Sequence, residues 1–174
     1  MKKIMGNELD LRAWAEDDYW LLQRTVGDPA MTKFLVGPES DEKMRSRHEK
    51  YLAMNGSESG QMFVIVAGKD QTPVGTHGFW EKDWQNEIVW EIGWFVLPEF
   101  QRRGIATQAT KLIIDRLKVP DKHRFLHAYP ARENVPSNAI CHKLGFSLRG
   151  EVDFEYSKGH WLRCNDWQLD LRAG

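Results

Sequence analysis

The sequence predicts one α/β (α+β) domain over 1–174, a single mixed, mostly antiparallel twisted sheet of about seven strands with about four helices. Three observations predict it. Runs of strand character alternate with helix-period segments in the order β, two helices, βββ, α, β, α, ββ. Ile88 to Leu97, IVWEIGWFVL, is almost continuously apolar, the pattern of a central strand covered on both faces. The 174 residues carry no repeat, low-complexity tract or linker, and a chain of that length fits one core.

Each element has its own signal. Glu8 to Arg12 alternates polar and apolar residues and predicts the opening strand. Asp17 to Val26, with Tyr19, Leu21, Leu22 and Val26, predicts a first helix stopped by Gly27-Asp28-Pro29. Asp41 to Met54 predicts a second, closed by Asn55-Gly56, with its charge run Asp41 to Lys50 as a solvated face. Three strands follow at Met62 to Ala67, Val74 to Trp80 and Ile88 to Leu97, with turns at Gly68-Lys69-Asp70 and from Lys82 to Asn86. Pro98 ends the third because proline cannot donate to a ladder. Ile105, Ala109, Leu112, Ile113 and Leu117 recur at helical spacing and predict a long helix over 104–118. Arg124 to Tyr129 is a strand stopped by Pro130. Pro136 to Leu144 is a short helix, with proline in its first turn and Gly145 just past its end. Phe146 to Tyr156 and Trp161 to Leu171 close the chain as an antiparallel pair turning at Lys158-Gly159.

Composition removes several classes of function. With 41% hydrophobic and 28% charged residues the chain is not disordered. A net charge of −1 gives no global field for nucleic acid or an anionic membrane, and neither partner is expected. Cys141 and Cys164 have no CxxC spacing and no histidine pair at zinc spacing, so neither a metal nor a disulfide framework is expected. Apolar runs fall short of a membrane span, and no apolar segment of leader length follows Lys2-Lys3. The expectation is a cytoplasmic protein.

One stretch does not belong to generic globular chemistry: FVLPEFQRRGIATQATKLIID, Phe95 to Asp115. The first amides of a helix lack internal acceptors and carry the positive end of its dipole. Gly104 removes the side chain that would keep an anion from them, and Arg102 and Arg103 add formal charge. Strand, basic loop and helix together make a phosphate grip; the plain alternative is a solvated basic loop. The loop is neither GxxxxGK[ST] nor GxGxxG.

Gln101-Arg102-Arg103-Gly104-Ile105-Ala106 resembles the Q/R-x-x-G-x-G/A loop of the GNAT superfamily of N-acetyltransferases. Further on, Asn134-Val135-Pro136-Ser137-Asn138 and Lys143-Leu144-Gly145-Phe146 are similar to the N-x-x-S-N and K-L-G-F segments of its RimJ/RimL-like branch, which acetylates protein N-termini. The resemblance covers essentially the whole chain. It implies the GNAT fold, with acetyl-CoA as co-substrate. Its pyrophosphate would lie on the loop from Gln101 to Thr107 (Arg102, Arg103, Gly104, Ile105 and Ala106 included). The pantetheine arm would run along Phe95, Val96 and Leu97, where this strand splays from the next, with Asn134 bonding its amides. Gly93 and Pro130 suit that break, although Gly93 also fits a bulge or close helix packing. The implied acceptor is a primary amine: a protein N-terminal α-amine, an amino acid or a small cationic amine. A homodimer is left open.

Acetyl transfer needs a neutral amine, donors for the developing oxyanion and a proton for the leaving thiolate. A backbone amide near Phe95 or Val96 suits the oxyanion. Glu91, a lone carboxylate in the apolar strand, is the candidate base; its alternative is a structural pairing. Many family members place a tyrosine about four residues before the G-F pair as acid, and here Cys141 holds that position. The candidate acid is instead Ser137, which otherwise reads as a helix-start residue bonding backbone. His77 and the tryptophans Trp80, Trp84, Trp90 and Trp94 are candidates to face the acceptor, with core packing as the alternative. The missing tyrosine keeps a second class in view, a catalytically silent acyl-CoA-binding sensor.

Overall fold

The computed structural model describes residues 9–173, so Glu8, the expected start of the first strand, lies outside the described residues. The elements are β1 (Leu9–Ala13), α1 (Tyr19–Arg24) behind a 3-10 turn at Glu16–Asp18, α2 (Asp41–Ala53), β2 (Gly60–Ala67), β3 (Thr72–Trp84) and β4 (Glu87–Val96). After a 3-10 turn at Pro98–Phe100 come α3 (Ile105–Lys118), β5 (Phe125–Ala128), α4 (Val135–Lys143), β6 (Ser147–Ser157) and β7 (His160–Asp170). The strands form one seven-stranded sheet in the order β1-β2-β3-β4-β5-β7-β6. Every pairing is antiparallel except β4 with β5. Class and element order are as the sequence predicts.

Strand alternation splits the interior into two cores. Phe63 and Ile65 of β2, with Trp90, Ile92 and Val96 of β4, pack beneath α3. That helix answers with Ile105, Ala109, Ile113 and Leu117, an unbroken i, i+4 stripe, each large aliphatic contributing roughly 1.5–3 kcal/mol on burial. Met62, Val64 and Val66, the alternate residues of β2, face the opposite way. They join Trp14, Leu21, Leu22, Val26 and Met44 under α1 and α2.

Four local features that the sequence reading did not give bear on the site. First, β3 does not stop at Trp80 but runs to Trp84. The hairpin turn is only Gln85-Asn86, both at positive φ (50° and 68°), the geometry of a two-residue type I′ connection. Lys82 and Trp84 therefore sit in a strand. Second, β4 is not covered along its whole length: Gly93, Trp94 and Phe95 are only half-buried, because β5 leaves it early. Third, the charge run of α2 is not wholly solvated. Arg47 pairs with Glu39 and donates to the Tyr51 hydroxyl at 3.0 Å, and His48 accepts from Trp14 Nε1 at 3.0 Å. Fourth, β7 inserts between β5 and β6. It carries buried Cys164, Asp166 and Trp167 where β6 is mostly exposed, so the more apolar strand takes the interior place.

Candidate active site

The sheet opens between β4 and β5. These strands pair at two positions only, Trp90 with Leu126 and Glu91 with His127. Beyond them β4 continues along β3 as far as Val96, opposite Gly75, with no described strand on its other edge. The Leu97 N–H donates to the Val74 carbonyl at 2.9 Å. Since successive peptides point to alternate edges, the Val96 N–H points away from β3, into the opening. The Val96 carbonyl points the same way and accepts from Gln101 Nε2 at 3.0 Å. Among Phe95, Val96 and Leu97, Val96 thus presents its backbone to the open edge. Leu97 is 1% exposed, with its side chain in the α1–α2 core.

Pairing stops two residues before Gly93, and β5 ends two before Pro130. Gly93 is not a bulge, because the β3–β4 register passes through it unbroken opposite Gly78. A Cβ there would stand 3.0 Å from the Trp80 ring, so glycine is what lets that indole lie across the strand.

Gln101's bond to Val96 draws the basic loop against the end of this edge. Arg102 and Gly104 both adopt left-handed backbone, at φ 60° and 75°. A non-glycine residue held so costs roughly 1–2 kcal/mol. Gln101 to Gly104 are exposed. No side chain caps α3, no acidic residue lies in its first turn, and its first internal bond runs from Gln108 N–H to the Gly104 carbonyl at 3.0 Å. The amides of Ile105, Ala106 and Thr107 precede that ladder and have no internal helical acceptor. A Cβ at Gly104 would meet only Gln108 Nε2, at 3.7 Å, so the demand for glycine comes from φ rather than from crowding. Arg103 folds back, donating to the Glu99 carbonyl at 2.9 Å over the Phe100 ring. Arg24 clamps Glu99 through two bonds of 2.8 and 3.0 Å and so ties the loop to α1.

On the α1–α2 face, at the last pair before the opening, lies Glu91, 12% exposed on its side chain. Burial pushes its carboxyl above the usual carboxylate range, and Lys82 at 3.7 Å, then Trp80, draw it partway back. Beside it His127 Nδ1 and Asp166 Oδ1 lie 2.6 Å apart, both buried, and Trp84 Nε1 donates to Asp166 Oδ2 at 3.1 Å. The Tyr129 hydroxyl is buried without a hydrogen-bond partner among the described residues, and burial raises its pKa.

Asn134 caps α4 by accepting from the Ser137 N–H at 3.3 Å, so its side-chain oxygen is spent on the helix. The half-buried Ser137 hydroxyl bonds no other described residue. Cys141 is buried, and its thiol is pushed up to about 12, which leaves a poor proton donor. Asn138 is the hub that holds this helix. It donates to the Ala131 and Asn134 carbonyls (3.0 and 2.8 Å) and accepts from Asn165 and Trp167 of β7 (2.7 and 2.8 Å). Each such bond contributes about 0.5–1.5 kcal/mol.

His77 does not face this side. It is buried under α3, bonded through Nε2 to Thr110 Oγ1 at 2.9 Å, and desolvation lowers its pKa to about 3. Trp90 and Trp94 share the α3 side with it, whereas Trp80 opposes Glu91 across the β3–β4 ladder. Lys82, Tyr129 and the His127–Asp166 pair escaped the sequence reading. For Lys82 the signal was the period-2 alternation through Trp84, hidden by reading Lys82 to Asn86 as a turn; the other three lie in strands that were read, and only the pairing of β5 with β7 brings them together. No three metal-ligating side chains converge among the described residues, and no described helix is long and apolar enough to cross a membrane.

A family model described as Acetyltransferase (GNAT) domain matches residues 8–147. The uncharacterized N-acetyltransferase YnaD of Bacillus subtilis is 24% identical over 168 residues, covering 94% of this chain and 91% of its own. The uncharacterized N-acetyltransferase p20 of Bacillus licheniformis is 26% identical over 165 residues, with 93% and 92% covered. Among solved structures, the RimL ribosomal L7/L12 α-N-protein acetyltransferase in complex with coenzyme A has a TM-score of 0.79 at 21% identity, over 99% of this chain and 98% of that one. Spermidine N-acetyltransferase from Vibrio cholerae, in complex with CoA and spermine, has a TM-score of 0.75 at 17% identity, with 95% and 96% covered. At these identities the structural likeness is one of fold.

Proposed function

The chain belongs to the GNAT family of acetyltransferases, and from that membership we propose that it moves the acetyl group of acetyl-CoA to an α-amine, on a peptide N-terminus or an amino acid. The observation that carries the reading is the open edge of β4, with the Val96 N–H aimed into it, closed at its end by a glycine-headed basic loop. The pyrophosphate lies on the unpaired amides at the start of α3, with Arg102 and Arg103 adding charge around it. Pantetheine runs along the Val96 edge, Asn134 bonds it through the amide left over from capping, and the Val96 N–H serves as oxyanion donor. Glu91 takes the amine proton, directly or through water. The amine attacks the thioester carbonyl, the tetrahedral intermediate collapses, and Ser137 protonates the departing thiolate.

The choice of an α-amine rests on two supports. An α-amine has a pKa of about 7.7–8.0 and yields its proton more readily than a lysine or polyamine nitrogen near ~10. The carboxylates of Glu91 and Glu39 are already paired with Lys82 and Arg47, which weakens their pull on a polycation.

Purified protein should release thiol from acetyl-CoA with N-terminal peptides or amino acids at rates at least about tenfold above those with spermidine or an aminoglycoside, about 1.4 kcal/mol in barrier. A 42-dalton mass increase on the α-nitrogen, the mass of an acetyl group replacing hydrogen, identifies the product. A preference for spermidine would overturn the acceptor class. Coenzyme A binding without turnover on any amine would favour the silent sensor. Ser137→Ala should lower kcat about tenfold or more with little change in coenzyme A affinity; undiminished kcat would remove Ser137 as the acid.

A further inference from the structure

Lys82 is unusually well held for a lysine. Its Nζ lies 4.5 Å from the Phe154 ring centroid, 5.7 Å from that of Trp84 and 5.8 Å from that of Tyr129. The three rings come from β6, from β3 and from the segment just after β5, and they brace one another. Tyr129 stacks on Phe154 at 4.7 Å between centroids and meets Trp84 at 4.8 Å. Trp84 is further fixed by its bond to Asp166. Such a cage stabilises a cation over the ring faces and removes the rotamer freedom that makes most lysine ion pairs weak. The caged ammonium stands 3.7 Å from Glu91 Oε2, on the neighbouring strand, and both side chains are largely buried (23% and 12% exposed).

We infer that Lys82 is a positioning residue for acetyl transfer: locked in its aromatic cage, it keeps Glu91 in the site as a carboxylate, ready to accept the amine's proton. The inference rests on the reading of Glu91 as the base and adds the group that makes a buried carboxylate serviceable. Left alone in this setting, Glu91 would hold its proton more tightly and be less ready to take the amine's. The other ionisable groups around it do not replace Lys82. From β5, His127 lies beside it in the register but is bound to Asp166, and Tyr129 just beyond the strand carries no charge to offer. From β7, Cys164 is a buried thiol with its pKa raised. From α2, Lys50 is exposed and acts on Glu91 less strongly than Lys82 does.

The test is Lys82→Met, which keeps length and apolar bulk and removes the charge, beside Lys82→Arg, which restores it. With Glu91 followed by carboxyl carbon NMR, the Lys82→Met midpoint should rise by about 1–2 pH units, and the acidic limb of kcat/KM should rise with it. Well below both midpoints that is about a 10- to 100-fold loss of kcat/KM, closing as the pH is raised. Lys82→Arg should recover most of the shift. Phe154→Leu, which takes one wall from the cage, should move Glu91 the same way by less, and serves if Lys82→Met does not fold. A Glu91 midpoint unchanged in these variants overturns the inference. If the midpoint moves while the rate profile does not, Lys82's hold on Glu91 stands and the reading of Glu91 as the base falls.

Discussion

Gly104→Val is expected to weaken coenzyme A binding by about 100-fold or more while leaving the fold intact. Gly104 sits at φ 75°, immediately before α3. A β-branched residue is the type least able to adopt that conformation, at roughly 1–2 kcal/mol for any side chain and more for valine. The loop would relieve the strain by rotating its peptides, and the amides of Ile105 to Thr107 would no longer converge. Charge-assisted hydrogen bonds contribute about 1.5–3 kcal/mol each, so losing alignment of two accounts for the effect. The helix itself should persist, because Ile105, Ala109, Ile113 and Leu117 keep their buried stripe. Isothermal titration with coenzyme A and a thermal melt check both halves. Wild-type affinity in a folded Gly104→Val protein would place the phosphates elsewhere.

Glu91→Gln should lower kcat/KM for the amine by about 100-fold above pH 7, the lower end of what a positioned base contributes. It should also erase the acidic limb of the pH profile. With Glu91 as the base, that limb is expected to follow the loss of its proton above the ordinary carboxylate range, because burial disfavours the charged form. The effect on stability runs the other way. A carboxyl whose folded pKa is raised binds its proton more tightly folded than unfolded, so its stabilising contribution is present below the unfolded pKa, about 4.3. It is lost as pH rises from there through the folded value. At pH 8 the ionised Glu91 is therefore a cost to the fold, and Glu91→Gln should melt no lower than the parent, with Lys82 keeping its three rings. Stopped-time acetylation across pH 5–9 and melts at pH 8 measure the two effects. Undiminished turnover would remove Glu91 as the base.

Much of this protein could be read without coordinates. The basic loop and the start of α3 were legible because each part is local: Pro98 ends a ladder, Gly104 suits a left-handed backbone, and the apolar spacing from Ile105 fixes the helix. The element order was legible for the same reason, since helix and strand periods are properties of short windows. The errors also had local causes. Lys82-Asp83-Trp84 read as turn because polar residues suit both a turn and the outward face of a hairpin. Only pairing with Glu87 to Val89 across Gln85-Asn86 makes them strand.

By itself, then, the chain's sequence determined the order and type of the elements, though not every boundary, and where an anion could meet unpaired amides. It also placed one carboxylate in an apolar strand. Tertiary structure alone decided that β4 and β5 part after a single two-residue pairing, that β7 separates β5 from β6, and that Val96 rather than its neighbours opens onto the gap. It alone put a caged lysine beside that carboxylate. The division is physical. Backbone preference and hydrophobic period act over a few residues, whereas the strength of a charge depends on which distant strands exclude water from it and which opposite charge they bring within 4 Å.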